Sequence, residues 1–186
     1  MDNQTLTNLI ERSKRNDQKA FRTIVENYQF MVYSLAFRLL GNEDEAKDIV
    51  QESFIRVWTN LASYRTDKKF STWMYTIATN LCLDKLKSTK YNLKNNDCSE
   101  VLINLVSSDN AEQHLMNSEL GEVIQTLTNE LTTKQKIVFT LRCLEELEID
   151  EIIQITGMTA GKIKSNLFLA RQAIQQKLEK YENYGK

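Results

Sequence analysis

The chain has 186 residues, 24 Lys+Arg against 25 Asp+Glu, a net charge of −1, five glycines and no proline. That balance argues against tight unaided binding to duplex DNA, where affinity comes largely from neutralised phosphates, and the length fits one large domain or two small ones. No stretch alternates apolar with polar residues, apolar runs are broken by charge well short of about 18 residues, and no basic stretch followed by an apolar core opens the sequence, so an all-α, cytoplasmic protein without membrane span or signal peptide is expected.

Leu6, Leu9 and Ile10 set a helical period over Thr5 to Lys14. Asn16 or Asp17 caps a second helix with Phe21, Ile24, Val25, Tyr28, Val32, Leu35, Ala36 and Leu39 on its apolar side, ending at Gly41. Asn42 then caps a third, with Glu43, Asp44 and Glu45 over its positive end. At about 100° per residue, Ala46, Ile49, Val50, Phe54 and Val57 share one side and Asp44, Glu45, Asp48, Gln51 and Glu52 the other, an acidic outward face.

Leu61 to Phe70 reads as a polar turn carrying Arg65, Lys68 and Lys69, either a solvated loop or a phosphate-tracking one. The run from Phe70 to Lys87 follows, with Phe70, Met74, Ile77, Ala78 and Leu81 as its buried stripe and Ser71 as N-cap. Trp73 and Asn80 lie on one flank, with Thr76 and Lys87 further toward solvent. An aromatic plane, an amide and a cation are the groups that hold an unstacked base, while a half-buried Trp73 beside a solvated Asn80 is the bland alternative.

The segment Asp48-Ile-Val-Gln-Glu-Ser-Phe-Ile-Arg-Val-Trp58 followed by Phe70-Ser-Thr-Trp-Met-Tyr-Thr-Ile-Ala-Thr-Asn-Leu81 resembles region two of bacterial sigma factors of the extracytoplasmic-function group. The resemblance implies that Asp44, Asp48, Gln51 and Glu52 dock on the clamp helices of the largest subunit of RNA polymerase core. It also implies that Arg65, Lys68, Lys69, Trp73, Thr76, Asn80 and Lys87 take part in opening and reading the minus-ten promoter element.

Beyond Lys87 the period fades into an Asn- and Ser-rich stretch, predicted as a linker over 88–115, with Val101 to Val106 apolar enough for a short docked helix instead. The domains are thus placed at 1–87 and 116–186. From Met116 the period returns through Leu120, Val123, Ile124 and Leu127 to Leu131, Thr132 or Thr133 caps the next helix, and Ile137, Val138, Leu141 and Leu144 follow. A short helix from Ile149 to Gly157, a tight turn and a longer helix capped by Thr159 make a helix-turn-helix.

Ile163, Leu167, Ala170, Ile174 and Leu178 are the expected buried side of that longer helix, which turns Gly161, Lys162, Lys164, Ser165 and Phe168 outward. The run from Ala160 to Ile174 is similar to sigma region four, with Asn166 and Leu169 where the family pattern carries arginine. The resemblance implies minus-thirty-five contacts from Thr159, Gly161, Lys162, Lys164, Ser165, Phe168 and Arg171, docking on the flap of the second-largest polymerase subunit, and an anti-sigma factor as a further partner. The acidic cluster Glu145, Glu146, Glu148, Asp150 and Glu151 is either a solvated face or a surface for a basic partner.

Three cysteines at wide spacing, Cys82, Cys98 and Cys143, and a lone His114 give neither a disulfide framework nor a metal site, so no cofactor is expected. Catalytic pairings and glycine-rich phosphate loops are missing from the sequence, which excludes the common enzyme classes. Three readings follow: an extracytoplasmic-function sigma factor, a stand-alone helix-turn-helix regulator, or a sigma-like adaptor that holds polymerase without reading DNA.

Overall fold

A computed structural model describes residues 2–65, 69–95 and 119–184, and these are helical without strands. Lys68 and the stretch 96–118, with Cys98 and His114, lie outside the described residues. The first unit holds α1 (Asn3–Lys14), α2 (Gln18–Leu40), α3 (Glu43–Asn60) and α4 (Phe70–Asn95). The second holds α5 (Glu119–Thr128), α6 (Thr133–Phe139), α7 (Ile149–Thr156) and α8 (Ala160–Tyr184).

Local chemistry sets most of the ends. Asp2, Asp17 and Asn42 accept hydrogen bonds from the first free N–H groups of α1, α2 and α3, and Thr132 closes a reciprocal capping box with Gln135 at α6. Gly41 and Gly157 end α2 and α7 in the left-handed conformation, φ 72° and 67°, which a Cβ disfavours. Ser71 does not cap α4. The helix already includes Phe70, whose ring is buried between Tyr28 and Tyr64, and Trp73 N–H bonds the carbonyl of Lys69. The connection before it is less polar than the sequence suggests, because Leu61 starts a single 3₁₀ turn (Leu61–Ser63) and is buried together with Tyr64. α4 continues to Asn95, past the boundary expected at Lys87.

Between α6 and α7 the chain is π-helical over Thr140–Leu144, where Glu145 N–H bonds the carbonyl of Thr140 five residues back. Glu146 follows with φ 56°.

The two units share one core. Ile137, Val138, Leu141, Ile152, Ile155 and Ile163 belong to the same buried cluster as Ile24, Leu35, Leu39, Val57, Met74 and Leu81. Burying such side chains stabilises by roughly 1.5–3 kcal/mol each. Polar ties cross the same seam. Glu145, its side chain 9% exposed, pairs with Arg38 and accepts a hydrogen bond from the Tyr75 hydroxyl at 2.6 Å. Lys69 meets Glu151 at 2.9 Å, and Gln125 donates to the carbonyl of Phe37 at 2.6 Å. The acidic cluster is therefore no solvated face at Glu145 and Glu151, whose partners lie 107 and 82 residues away in sequence. Leu178 also departs from expectation: it is 43% exposed, because Ile174 is the last residue of α8 in the smaller cluster with Leu131 and Ala170.

Candidate nucleic-acid interface

α3 and α4 converge on an open cleft of about 250 Å³ lined by Arg56, Asn60, Ser63, Trp73, Ile77 and Asn80. Its two walls are helical rows. Trp73, Ile77 and Asn80 stand at i, i+4 and i+7 on α4, and Arg56 and Asn60 at i and i+4 on α3, with Ser63 in the turn beyond. Trp73 is half-buried, its ring 5.0 Å from Tyr64 and 5.7 Å from Phe70, so it is held by the core while still facing the cleft. The two readings of Trp73 are thus compatible. Ile77, expected inside the buried stripe, is half-buried and forms the cleft floor with it.

Arg56, Asn60 and Ser63 are the lining residues that the sequence reading missed. Their four- and three-residue spacing along the polar end of α3 was available as a signal, masked by attention to the acidic side of that helix. The Arg56 guanidinium is held by Glu52 at 2.9 Å, and Ser63 donates to the carbonyl of Asn60 at 2.7 Å. Aromatic plane, amides, hydroxyl and cation therefore surround one concavity, a set that can stack a planar base and bond its edge.

Other expected members sit apart from the cleft. Thr76 donates back to the carbonyl of Thr72, and Lys87 pairs with Asp84 on its own helix. Arg65 is exposed on the connection to α4. Lys69 is turned to the second unit, where its hydrogen bond to Glu151, then the carboxylate's charge, raises its pKa. The same contact, led by that hydrogen bond, lowers the Glu151 carboxyl below its ordinary range.

On the acidic side of α3, Asp44, Asp48 and Gln51 are exposed and Glu52 is partly covered by Arg56. Glu45 belongs to this face less than expected, since Lys85 approaches it to 3.7 Å. A second surface lies on α8. Thr159 caps its start through the Lys162 N–H, and Gly161, Lys162, Lys164, Ser165, Phe168 and Arg171 are all exposed, Phe168 by 67%. Gly161, Lys164, Phe168 and Arg171 form one row at three- and four-residue steps. Leu169 is 44% exposed and Asn166 spends its amide on the carbonyl of Lys162, so neither replaces an arginine's charge. Among the described residues no cluster of His, Cys, Asp and Glu could hold a metal ion.

Comparison with known proteins matches this division. The model for Sigma-70 region 2 covers residues 24–91, and that for Sigma-70, region 4 covers residues 121–174. The ECF RNA polymerase sigma factor SigW of Bacillus subtilis (strain 168) is 35% identical over 176 residues, 91% of this chain and 94% of that protein. The ECF RNA polymerase sigma-E factor of Escherichia coli (strain K12) is 32% identical over 178 residues, 92% and 93% of the two chains. Among solved structures, the sigma factor RpoE of Bartonella quintana, in complex with the anti-sigma factor NepR, gives a TM-score of 0.68 over 87% of this chain and 98% of that one. At 20% identity that likeness is one of fold.

Proposed function

The chain belongs to the extracytoplasmic-function sigma factors, which direct transcription initiation, and from that premise we propose how its surfaces divide the work. The α3–α4 cleft receives a base of the opened minus-ten element: Trp73 stacks, Asn80, Asn60 and Ser63 meet the base edge, and Arg56 faces the backbone. The observation that supports this most is the convergence of these groups on one concavity, within the segment matched as region 2.

Asp44, Asp48, Gln51 and Glu52 bind core polymerase at the clamp helices of its largest subunit, and the second unit docks on the flap of the second-largest. The exposed row on α8 reads the minus-thirty-five element, with Lys164 and Arg171 on phosphates and Ser165 and Phe168 on base edges and thymine methyls. The protein acts in the cytoplasm, where polymerase and promoter DNA meet, and bond making is left to polymerase. An anti-sigma factor is a further partner, as for the B. quintana relative.

Run-off transcription with core polymerase and genomic promoter fragments tests the whole assignment. Specific transcripts are expected with the wild-type chain. They should fall with Asn80→Ala at unchanged core binding. Transcripts that persist undiminished with Asn80→Ala would move base reading away from the cleft.

A further inference from the structure

Between the two units, the contact surface of the second is acidic and that of the first is basic. Glu145 is held by Arg38 and Tyr75, the carbonyl of Leu144 accepts from Arg38 at 3.4 Å, and Glu151 occupies Lys69 at 2.9 Å. Lys69 is the cation assigned above to the promoter-facing connection. In this arrangement its charge is already matched by a carboxylate, the same chemistry as a phosphate oxygen.

We propose that the segment Glu145–Glu151 is an intramolecular stand-in for nucleic acid, holding the free chain in a closed state that must open before both promoter elements can be engaged. The inference rests on the sigma-factor reading for the two DNA elements and on the contacts above for the closed state.

Distance makes the closed state incompatible with full promoter engagement. Elements about 25 base pairs apart on B-form DNA are separated by about 85 Å at 3.4 Å per pair. A compact globule of this length has a radius of gyration of about 16 Å and is about 40 Å across. The 24 peptide steps between Asn95 and Glu119 can extend to about 80 Å, enough to let the units part without unfolding either. Opening uncovers Lys69 and Arg38 and leaves the Trp73 cleft as it is, so the clasp gates the joint use of the two surfaces and not the cleft itself.

The clasp reduces apparent affinity by the fraction of chain that is open. Loosening it should therefore speed binding without adding any contact to the partner.

Two measurements on the full chain test this. Because Lys69 and Glu151 touch, a water-soluble carbodiimide should join them as an amide in the free protein, detected by mass spectrometry. The yield should collapse when core polymerase and promoter are added, and the purified cross-linked chain should fail to form a promoter complex. In parallel, Tyr75→Phe with Glu145→Gln keeps side-chain shape and should raise the association rate with core polymerase by about five- to tenfold. The charge swap Lys69→Glu with Glu151→Lys should restore closure lost in either single variant, as judged by small-angle scattering, which separates a loosened seam from a misfolded unit. A wild-type chain already extended in scattering, a cross-link yield indifferent to the promoter complex, or an unchanged association rate in the shape-preserving double variant would each overturn the proposal. Normal transcription from the wild-type chain alongside any of these would leave the sigma-factor reading standing.

Discussion

Trp73 shows how one side chain can serve the core and a ligand at once. Its contacts with Tyr64 and Phe70 fix the ring before any base arrives, so little ordering cost remains for stacking. Trp73→Ala should weaken promoter opening by about 1–3 kcal/mol, read as loss of permanganate reactivity in the melted strand, and should also lower the urea midpoint because packing is lost. Asn80 is exposed and carries no such packing, so Asn80→Ala should show the opening defect alone. Tyr75 gives a second residue-scale test. Burial, and then the carboxylate of Glu145, raises its phenol well above the ordinary value. The unfolded chain ionises there near pH 10 while the folded one keeps its proton, so the tyrosine contributes stability below about pH 10 that declines above it. Absorbance titration should find one phenol ionising only as the fold is lost, and Tyr75→Phe should remove it.

The helices respond differently to their two glycine ends. A Cβ on Gly157 meets nothing within 4 Å, so Gly157→Ala costs only the left-handed backbone, about 1 kcal/mol. On Gly41 it would come within 3.2 Å of Gln125 Oε1, and Gln125 is bonded to the Phe37 carbonyl across the seam. Gly41→Ala should therefore lower the urea midpoint more than Gly157→Ala. On α3, Asp48 is the cleaner probe of polymerase binding, because Glu52 also holds Arg56 at the cleft. Asp48→Lys should retain helicity and reduce core affinity by about 2–5 kcal/mol if the charge is buried on docking. At this scale the sequence was a good guide wherever the cause was local: Asp17, Asn42 and Thr132 cap, Gly41 and Gly157 terminate, and the apolar stripes of α2 and α3 face inward. It failed where the cause was distant. Leu178 continues the period of α8 beyond the last helix that could cover it, and Ser71 has the right chemistry one turn too late, since the aromatic environment of Phe70 starts the helix earlier. Half of the cleft was legible, from Trp73 and Asn80. Arg56, Asn60 and Ser63 face it only because α3 and α4 pack side by side, a relation that no local pattern encodes.

As a whole the molecule joins two units of opposite contact charge within a net of −1. Duplex binding by the free chain should accordingly be weak, rising steeply when core polymerase is added, in gel shifts at physiological salt. Lys164→Ala should then weaken the holoenzyme on every promoter and reduce the salt slope by about one counterion, because a phosphate contact carries no sequence information. The partners of Glu145 and Glu151 lie in a different unit, which is why the acidic cluster could not be interpreted along the chain. Its aim depends on the π-helical turn at Thr140–Leu144. That turn holds one residue more than an α-helix would over the same rise, so deleting a single codon there would let it relax to ordinary helix and rotate all that follows by about 100°. Gene length in this short window is thus a steering parameter: one in-frame loss, with no change of side-chain chemistry, would swing Glu145 away from Arg38 and turn the reading head to a new bearing.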